Sequence, residues 1–196
     1  MSADNRKDIK DFVTDAWRNI SVEHNNIHEG VFFEYPIVTD IAASGTYVVG
    51  FKTPADKYVH YRNEKFSASG EKVLISLQEG ATISGGTTVS AINHNRASDK
   101  TASTIVKTAV TLATAGTTIS IGYVPGGTAK GGNRSGGETS QENEYVLNPN
   151  TQYVVRIANG GSATCTVVVS PQWYEEDEGG LSLANSWDLR SGNLES

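Results

Sequence analysis

The chain has 196 residues, of which 37% are hydrophobic, and its formal net charge is -6. It is long enough to bury one good core and too short to favour a two-domain enzyme. The negative charge argues against nucleic acid as a partner, because no basic patch is present to release counterions from a phosphate backbone.

Cys165 is the only cysteine, which excludes an internal disulfide and a cysteine-based zinc knuckle. The N-terminal segment MSADNRKDIKDF lacks the apolar run of a signal peptide, and nowhere do eighteen uncharged apolar residues follow one another. We therefore expect a soluble protein that is made in a cytoplasm, needs no oxidising compartment and has no membrane partner.

The first zone of the chain, residues 1–29, is predicted to form a short amphipathic helix and a lead-in arm. Its apolar residues recur at the three- and four-residue steps of one helical face, with charged residues between them. These apolar positions are Ile9, Phe12, Val13, Ala16, Trp17 and Ile20.

The second zone, residues 30–176, predicts an antiparallel β-sandwich or jelly-roll-like domain. It consists of short runs rich in Val, Ile, Thr, Tyr and Phe, separated by clusters of Gly, Asn, Pro and Ser. No long helical pattern interrupts these runs, so a parallel sheet with crossover helices is not expected. The predicted strands are 31–38, 46–51, 57–63, 72–78, 87–93, 103–112, 117–124, 143–148, 151–159 and 164–174.

Two of these runs also predict which side chains face the core, because apolar residues occupy alternate positions in each. The inward positions are Tyr153, Val155, Ile157, Cys165, Val167 and Val169. Cys165 is therefore expected to act as a small hydrophobic residue and not as a nucleophile. Pro149 and Asn150 predict a tight turn before 151–159, since proline fixes its own φ and asparagine tolerates a left-handed backbone.

The third zone, residues 177–196, is predicted to be an extended C-terminal tail. The acidic run 175–178 and the two glycines after it are typical of a domain edge. The tail is too short for its own core, so we expect its apolar side chains, like those of the N-terminal helix, to contact other polypeptides. The predicted oligomer or capsid contacts are Ile9, Phe12, Val13, Trp17, Ile20, Leu181, Leu183, Trp187 and Leu189.

His24 and His28 stand four residues apart, a spacing that binds a metal when both lie on one helix. Asn25, Asn26 and Gly30 are unfavourable in a helix interior, however, and no third histidine or cysteine lies nearby. We therefore interpret the segment as a polar junction and predict no metal site and no cofactor. A metal-dependent hydrolase that uses these two histidines is the enzymatic alternative.

Other patterns indicate no catalytic residues. The glycine-rich segment 125–140 does not have P-loop spacing, because its lysine precedes the glycines and a strand pattern follows. We interpret it as a long hairpin loop. No Gly-x-Ser-x-Gly elbow occurs, and His60 and His94 can join a site only through the fold.

Five aromatic residues on predicted strands offer a second kind of site. Together they could form a platform for stacking sugars, although aromatic residues on strands are more often core or cross-strand pairs. These residues are Tyr35, Tyr58, Tyr61, Trp173 and Tyr174.

Several segments resemble a group of tailed-bacteriophage virion proteins, which are small β-rich structural proteins of the head or its appendages. The segments are VEHNNIHEG (22–30), KTPADKYVHYR (52–62), LQEGATISGGTTVSAINHNR (77–96), NEYVLNPNTQYVVRIAN (143–159) and WYEE (173–176). The resemblance covers residues 20–176 and implies a non-enzymatic virion structural protein without a catalytic set.

From this resemblance we expect a capsid decoration or cement protein on the outer head surface, made in the host cytoplasm. Its expected partners are the major capsid protein and its own copies, with the N-terminal helix and C-terminal tail joining neighbours. Because capsid lattices offer threefold positions, a homotrimer is predicted. The alternative is a receptor- or carbohydrate-binding module of a fibre, adaptor or head appendage.

Overall fold

The structure is a computed structural model that describes residues 6–10, 17–69, 71–125, 134–135 and 144–177. Over these residues the chain is mainly β, with antiparallel strand pairing and one short helix, as the sequence predicts. The helix α1 is Val22–His28. The strands are β1 (Arg6–Lys10), β2 (Trp17–Ser21), β3 (Phe32–Glu34), β4 (Ile37–Ile41), β5 (Thr46–Lys52), β6 (Lys57–Ala68), β7 (Val73–Glu79), β8 (Thr82–Ser84), β9 (Thr87–Val89), β10 (Ile92–Asn93), β11 (Ile105–Thr108), β12 (Thr111–Thr114), β13 (Thr117–Val124), β14 (Arg134–Ser135), β15 (Glu144–Leu147), β16 (Gln152–Asn159) and β17 (Cys165–Asp177).

Three predicted strands are divided in the structure. The run 87–93 becomes β9 and β10, which lie in different sheets, and a backbone feature divides each of the other two. The run 31–38 becomes β3 and β4 because Pro36, which has no N–H to donate, lies between them. The run 103–112 becomes β11 and β12, and Ala109 between them has a φ of 52°. The tight turn predicted at Asn150 is confirmed, since this residue has a φ of 48°.

The N-terminal helix lies later in the chain than the apolar spacing predicts. Residues predicted to be helical instead contribute β1 and β2, which pair antiparallel with Lys10 opposite Trp17 and Ile9 opposite Arg18. In these residues backbone pairing between two strands replaces the predicted helix. Several residues of the apolar pattern have low helix propensity, so the helix is only weakly favoured. Of the predicted contact residues, Ile9, Trp17 and Ile20 are on these strands. The others, Phe12, Val13, Leu181, Leu183, Trp187 and Leu189, lie outside the described residues.

The helix α1 forms in the segment that was predicted to be a polar junction between the N-terminal helix and the first strand. Ser21 caps it, because its hydroxyl accepts a hydrogen bond from the His24 backbone N–H at 3.2 Å. Gly30, with a φ of +70°, follows its last turn. The two asparagines inside the helix are thus accommodated because both helix ends are capped.

Two large antiparallel sheets form the sandwich. Sheet I has the order β10-β3-β17-β6-β14, with β15 also pairing with β6 and β4 pairing with β17. Sheet II has the order β13-β7-β16-β5-β11-β9. The long strand β17 organises sheet I, because it pairs with β6 on one side and with β4 and then β3 on the other.

The main core lies between these sheets and follows the strand alternation. Tyr153, Val155, Ile157, Cys165, Val167 and Val169 are all buried, so the predicted inward register is confirmed. Trp173 is completely buried and meets Phe51 edge to face, with ring centroids 5.9 Å apart. An aromatic residue in this position contributes both buried apolar area and a favourable ring geometry.

A smaller apolar cluster covers part of the outer face of sheet II. The pair β8 and β12 lies over this face and packs Ile83 and Leu112 against Val48 and Val154. Gly50 permits the close approach, since a Cβ there would lie 2.6 Å from the Ile83 Cδ1 atom. One end of the outer face of sheet II is therefore shielded from water.

Within the described ranges, no helix has both the length and the apolar character to span a bilayer.

Candidate functional site

A row of aromatic and charged side chains crosses the outer face of sheet I. Because Val59 and Tyr61 point into the core, the residues that alternate with them on β6, His60 and Arg62, lie on the opposite face. His60 stands opposite Tyr174 in the β6–β17 register, and Tyr174 stands opposite Phe32 in the β17–β3 register. The register of three strands thus aligns these rings.

His60 is held between two carboxylates. Its Nδ1 atom donates to Glu144 Oε1 at 2.8 Å, and its Nε2 atom lies 3.5 Å from Glu176 Oε2. Burial opposes a charge on the imidazole, but the hydrogen bonds and charges of Glu144 and Glu176 outweigh it and raise the pKa of His60 to about 9. At neutral pH His60 is therefore an imidazolium, which has no lone pair to act as a general base.

Glu144 joins several elements in this cluster. Its Oε1 atom also accepts a hydrogen bond from the Tyr174 hydroxyl at 2.7 Å, and its Oε2 atom lies 4.0 Å from Arg62 Nε. Burial acts to raise the pKa of Glu144, but the hydrogen bonds from His60 and Tyr174 lower it overall. Arg62 continues the cluster to the helix α1, since its Nη1 atom lies 3.0 Å from Glu23 Oε2.

A second polar group lies at the other end of the same row. The His94 ring meets Phe32 edge to face at a centroid distance of 4.7 Å, and its Nε2 atom lies 2.8 Å from Glu34 Oε2. Gln172 donates to the same oxygen at 3.1 Å. Burial raises the pKa of Glu34, but hydrogen bonds from His94, Ser170 and Gln172 lower it overall. Each carboxylate of the row thus accepts hydrogen bonds from neighbouring strands or loops.

Glu175 is a buried carboxylate at the end of the core. It accepts hydrogen bonds from the backbone N–H groups of Ser103 and Thr104 at 2.9 and 2.8 Å, and from Trp173 Nε1 at 3.2 Å. These bonds attach the segment before β11 to the end of β17. The role of Glu175 is therefore to satisfy buried donors and to position a loop.

An open cleft of about 280 Å³ borders Glu175 and includes Lys57, Asp99 and Lys100 in its lining. Its two lysines already have partners: Lys57 Nζ lies 3.9 Å from Asp177 Oδ1, and Lys100 Nζ donates to the Glu29 carbonyl at 2.9 Å. The Glu175 oxygens are also engaged, so both lysines and Glu175 have contacts within the chain.

The aromatic residues proposed as a sugar-stacking platform do not form an exposed surface. Tyr61 and Trp173 lie in the core, and Tyr174 is buried in the row on the outer face of sheet I. Only Tyr35 and Tyr58 retain intermediate exposure. A sugar ring needs an exposed aromatic face, so the platform interpretation is wrong for three of its five residues.

The structure tests the prediction for Cys165 but only a small part of the prediction for the glycine-rich segment 125–140. Cys165 is completely buried, so the prediction of a small hydrophobic role is confirmed. Of 125–140, only Pro125, Arg134 and Ser135 are described, and the last two form β14 beside β6. The interpretation of the remaining residues as a hairpin loop falls outside the described part of the chain and stays a prediction.

The most exposed apolar surface of sheet II lies at its β13 end. Tyr123 stands opposite Leu74 in the register, and both point away from the core, as does Ile121. Their exposed fractions are 61% for Tyr123, 66% for Ile121 and 37% for Leu74. We call these three residues the β13 patch. Among the described strands, β13 pairs only with β7 and so forms an edge of sheet II.

The sequence does not predict the contacts of His60, Glu144 and Glu175, because their partners are distant in sequence. Strand alternation could place His60 on the outer face, but its contact with Glu144 joins residues 84 positions apart. Comparison of the chain with protein-family models, curated proteins and solved structures finds no match.

Proposed function

We propose that the protein is a non-enzymatic structural component of a tailed-bacteriophage virion, which decorates the outer head surface and binds its own copies and the major capsid protein. The resemblance of segments within 20–176 to such virion proteins supports the virion role. The β13 patch is the main support for the assembly role, because it exposes large apolar side chains at the edge of a sheet.

The buried charges support a structural role. His60 is protonated between Glu144 and Glu176, and Glu175 is bonded to backbone donors. In these positions the charged groups join strands and loops through contacts within the chain. The two sheets then form a stable scaffold that can present an exposed contact surface.

The sequence of β13 favours a second copy of this chain as the occupant of the edge. Exposed edge strands of monomeric proteins usually carry lysine, proline or another feature that prevents pairing. The eight residues of β13, TTISIGYV, contain no charged residue and no proline. Two such strands can pair antiparallel about a twofold axis without like-charge repulsion, and each large apolar side chain buried there contributes roughly 1.5 to 3 kcal/mol.

Native mass spectrometry and light scattering of Ile121→Lys test this contact. We expect the unchanged protein to self-associate and the variant to shift toward the monomer, because the lysine places a charge in the apolar interface. Val38→Lys is the matched control, since Val38 is an apolar residue with 70% exposure on β4, in sheet I. A monomeric unchanged protein, or equal association of both variants, would contradict the β13 contact.

The predicted homotrimer is tested in the same measurement. A twofold β13 contact closes a dimer, so a trimer would show that copies associate through another surface.

The virion role needs a separate test on purified phage particles. Mass spectrometry should detect the chain in particles, and cryo-electron microscopy should place its density on the major capsid protein at the outer head surface. Absence of the chain from particles would reject the virion role, and density on the tail alone would reject head decoration.

A further inference from the structure

The helix α1 brings two exposed imidazoles together. His24 and His28 lie one turn apart, with ring centroids 4.5 Å apart and an interplanar angle of 61°. Their Nε2 atoms are 3.0 Å apart, and both residues are exposed. Two features of the sequence argued against a metal site, an unfavourable helix and the lack of a third histidine or cysteine nearby, and the structure removes the first of them.

The spacing of the two nitrogens fits a metal chelate. With metal–nitrogen bonds of about 2.0–2.1 Å, nitrogens 3.0 Å apart subtend an angle of about 95° at the ion. That angle is close to the right angle of tetragonal Cu²⁺ and Ni²⁺ complexes and smaller than the tetrahedral angle that structural Zn²⁺ adopts. Structural Zn²⁺ sites have four protein ligands and catalytic sites three, so a pair of imidazoles with open positions is better suited to Cu²⁺ or Ni²⁺.

The helix is fixed by contacts at both ends, so little ordering is needed before binding. Ser21 caps the first turn, and the Val31 N–H donates to the Asn26 carbonyl at 3.0 Å. Asn95 donates to the His28 carbonyl at 3.0 Å from a loop distant in sequence. A prearranged pair of ligands loses less conformational freedom on binding than a flexible pair does.

We propose that His24 and His28 chelate one divalent transition-metal ion, Cu²⁺ or Ni²⁺, through their Nε2 atoms. Within the described ranges no group of three or more His, Cys, Asp or Glu residues is positioned to hold a metal. The ion therefore has two protein ligands from this site, and water fills its other positions.

Metal binding replaces the contact between the two imidazoles. In that contact the Nε2 atom of one ring donates and the Nε2 atom of the other accepts. Chelation needs a lone pair on both Nε2 atoms, so the donor ring changes to the tautomer that carries its proton on Nδ1. The change conserves the number of protons, and it adds no charge other than that of the ion.

Titration of the untagged full chain with CuCl₂ tests the proposal. We expect one Cu²⁺ per chain by calorimetry, with an electron paramagnetic resonance spectrum that shows imidazole nitrogen ligands. Affinity should follow Cu²⁺ above Ni²⁺, and Zn²⁺ should bind more weakly than Cu²⁺. His24→Gln and His28→Gln should each weaken Cu²⁺ binding at least tenfold.

His94→Gln is the matched control, because the His94 Nε2 atom lies against Glu34 and not beside another histidine. It should leave Cu²⁺ affinity and the resonance spectrum unchanged. Circular dichroism should show that all three variants retain the strand signal. Equal Cu²⁺ binding by the unchanged chain and the His24→Gln/His28→Gln double variant would overturn the proposal, as would an equal loss in His94→Gln. This result does not depend on the virion role or the β13 contact.

Discussion

The imidazole ring of His60 is stacked on the phenol ring of Tyr174, with centroids 4.3 Å apart and planes inclined by 11°. The two residues form a directly opposed cross-strand pair between β6 and β17. Both also donate hydrogen bonds to Glu144 Oε1. A protonated ring stacked on an aromatic face and bonded to a carboxylate stabilises the pairing of β6, β15 and β17.

This arrangement predicts a stability that depends on pH. The pKa of His60 is about 9 in the folded chain and about 6.5 in an unfolded one, so its contribution is complete below pH 6.5 and is lost as pH rises through 9. The difference corresponds to about 3 kcal/mol of unfolding free energy. Urea unfolding at pH 6 and pH 9.5 measures it.

The variant His60→Gln isolates this contribution from other groups that titrate in the same range. We expect it to be less stable than the unchanged protein at pH 6 and to approach it at pH 9.5. His24→Gln, which changes an exposed histidine on α1, should keep the full pH dependence. Parallel pH profiles for His60→Gln and the unchanged protein would contradict the assignment.

The loop contact of Glu175 predicts a local effect at two amides. Glu175→Ala leaves the Ser103 and Thr104 N–H groups without their acceptor, and we expect a loss of about 3 kcal/mol in unfolding free energy. Hydrogen exchange should accelerate at these two amides. Glu175→Gln should have a smaller effect, since its amide oxygen can accept one of the bonds.

Exchange rates measured by nuclear magnetic resonance distinguish this contact from a general loss of stability. If both amides exchange at unchanged rates in Glu175→Ala, the carboxylate does not hold the loop.

The central position of Trp173 predicts a large cost for its truncation. Because the side chain is fully buried between the sheets, Trp173→Ala should destabilise the fold by about 3–5 kcal/mol. Val38→Ala, at a position with 70% exposure, should change stability by less than about 0.5 kcal/mol. Chemical denaturation measures both, and similar midpoints would show that Trp173 is not part of the core.

Two glycines have similar backbone angles but different surroundings. Substituting each by alanine distinguishes the cost of a left-handed backbone from the cost of crowding. Gly80 and Gly86 have φ values of +72° and +79°. A Cβ at Gly80 meets nothing within 4 Å, whereas one at Gly86 would lie 2.5 Å from Val110 Cγ1 and 2.8 Å from the Thr108 carbonyl oxygen.

We therefore expect Gly80→Ala to cost about 1–2 kcal/mol from its left-handed backbone alone. Gly86→Ala should cost about 1–3 kcal/mol more, because overpacking is added. The unfolding free energies of the two variants, measured under the same conditions, test this difference. Equal losses would mean that the structure around Gly86 relaxes without strain.

The sequence by itself determined the class of fold and the inward register of its clearest strands. Short β-branched runs and alternating apolar residues are local properties, which is why Tyr153, Val155 and Cys165 were placed correctly. The Asn150 turn was also predictable, since its backbone preference depends on the residue itself.

Only the tertiary structure decided which outward residues are covered and which charges meet. Val154 points away from the main core but is fully buried, because β8 and β12 cover it. His60 meets Glu144, and Glu175 meets the segment before β11, through strand pairings between residues far apart in the chain. The α1 helix likewise combines a local cap with contacts from a distant loop. The periodicity of apolar residues indicates the conformation that one segment prefers. Which outward residues are buried and which charged side chains meet depends on the free energy of contacts between segments.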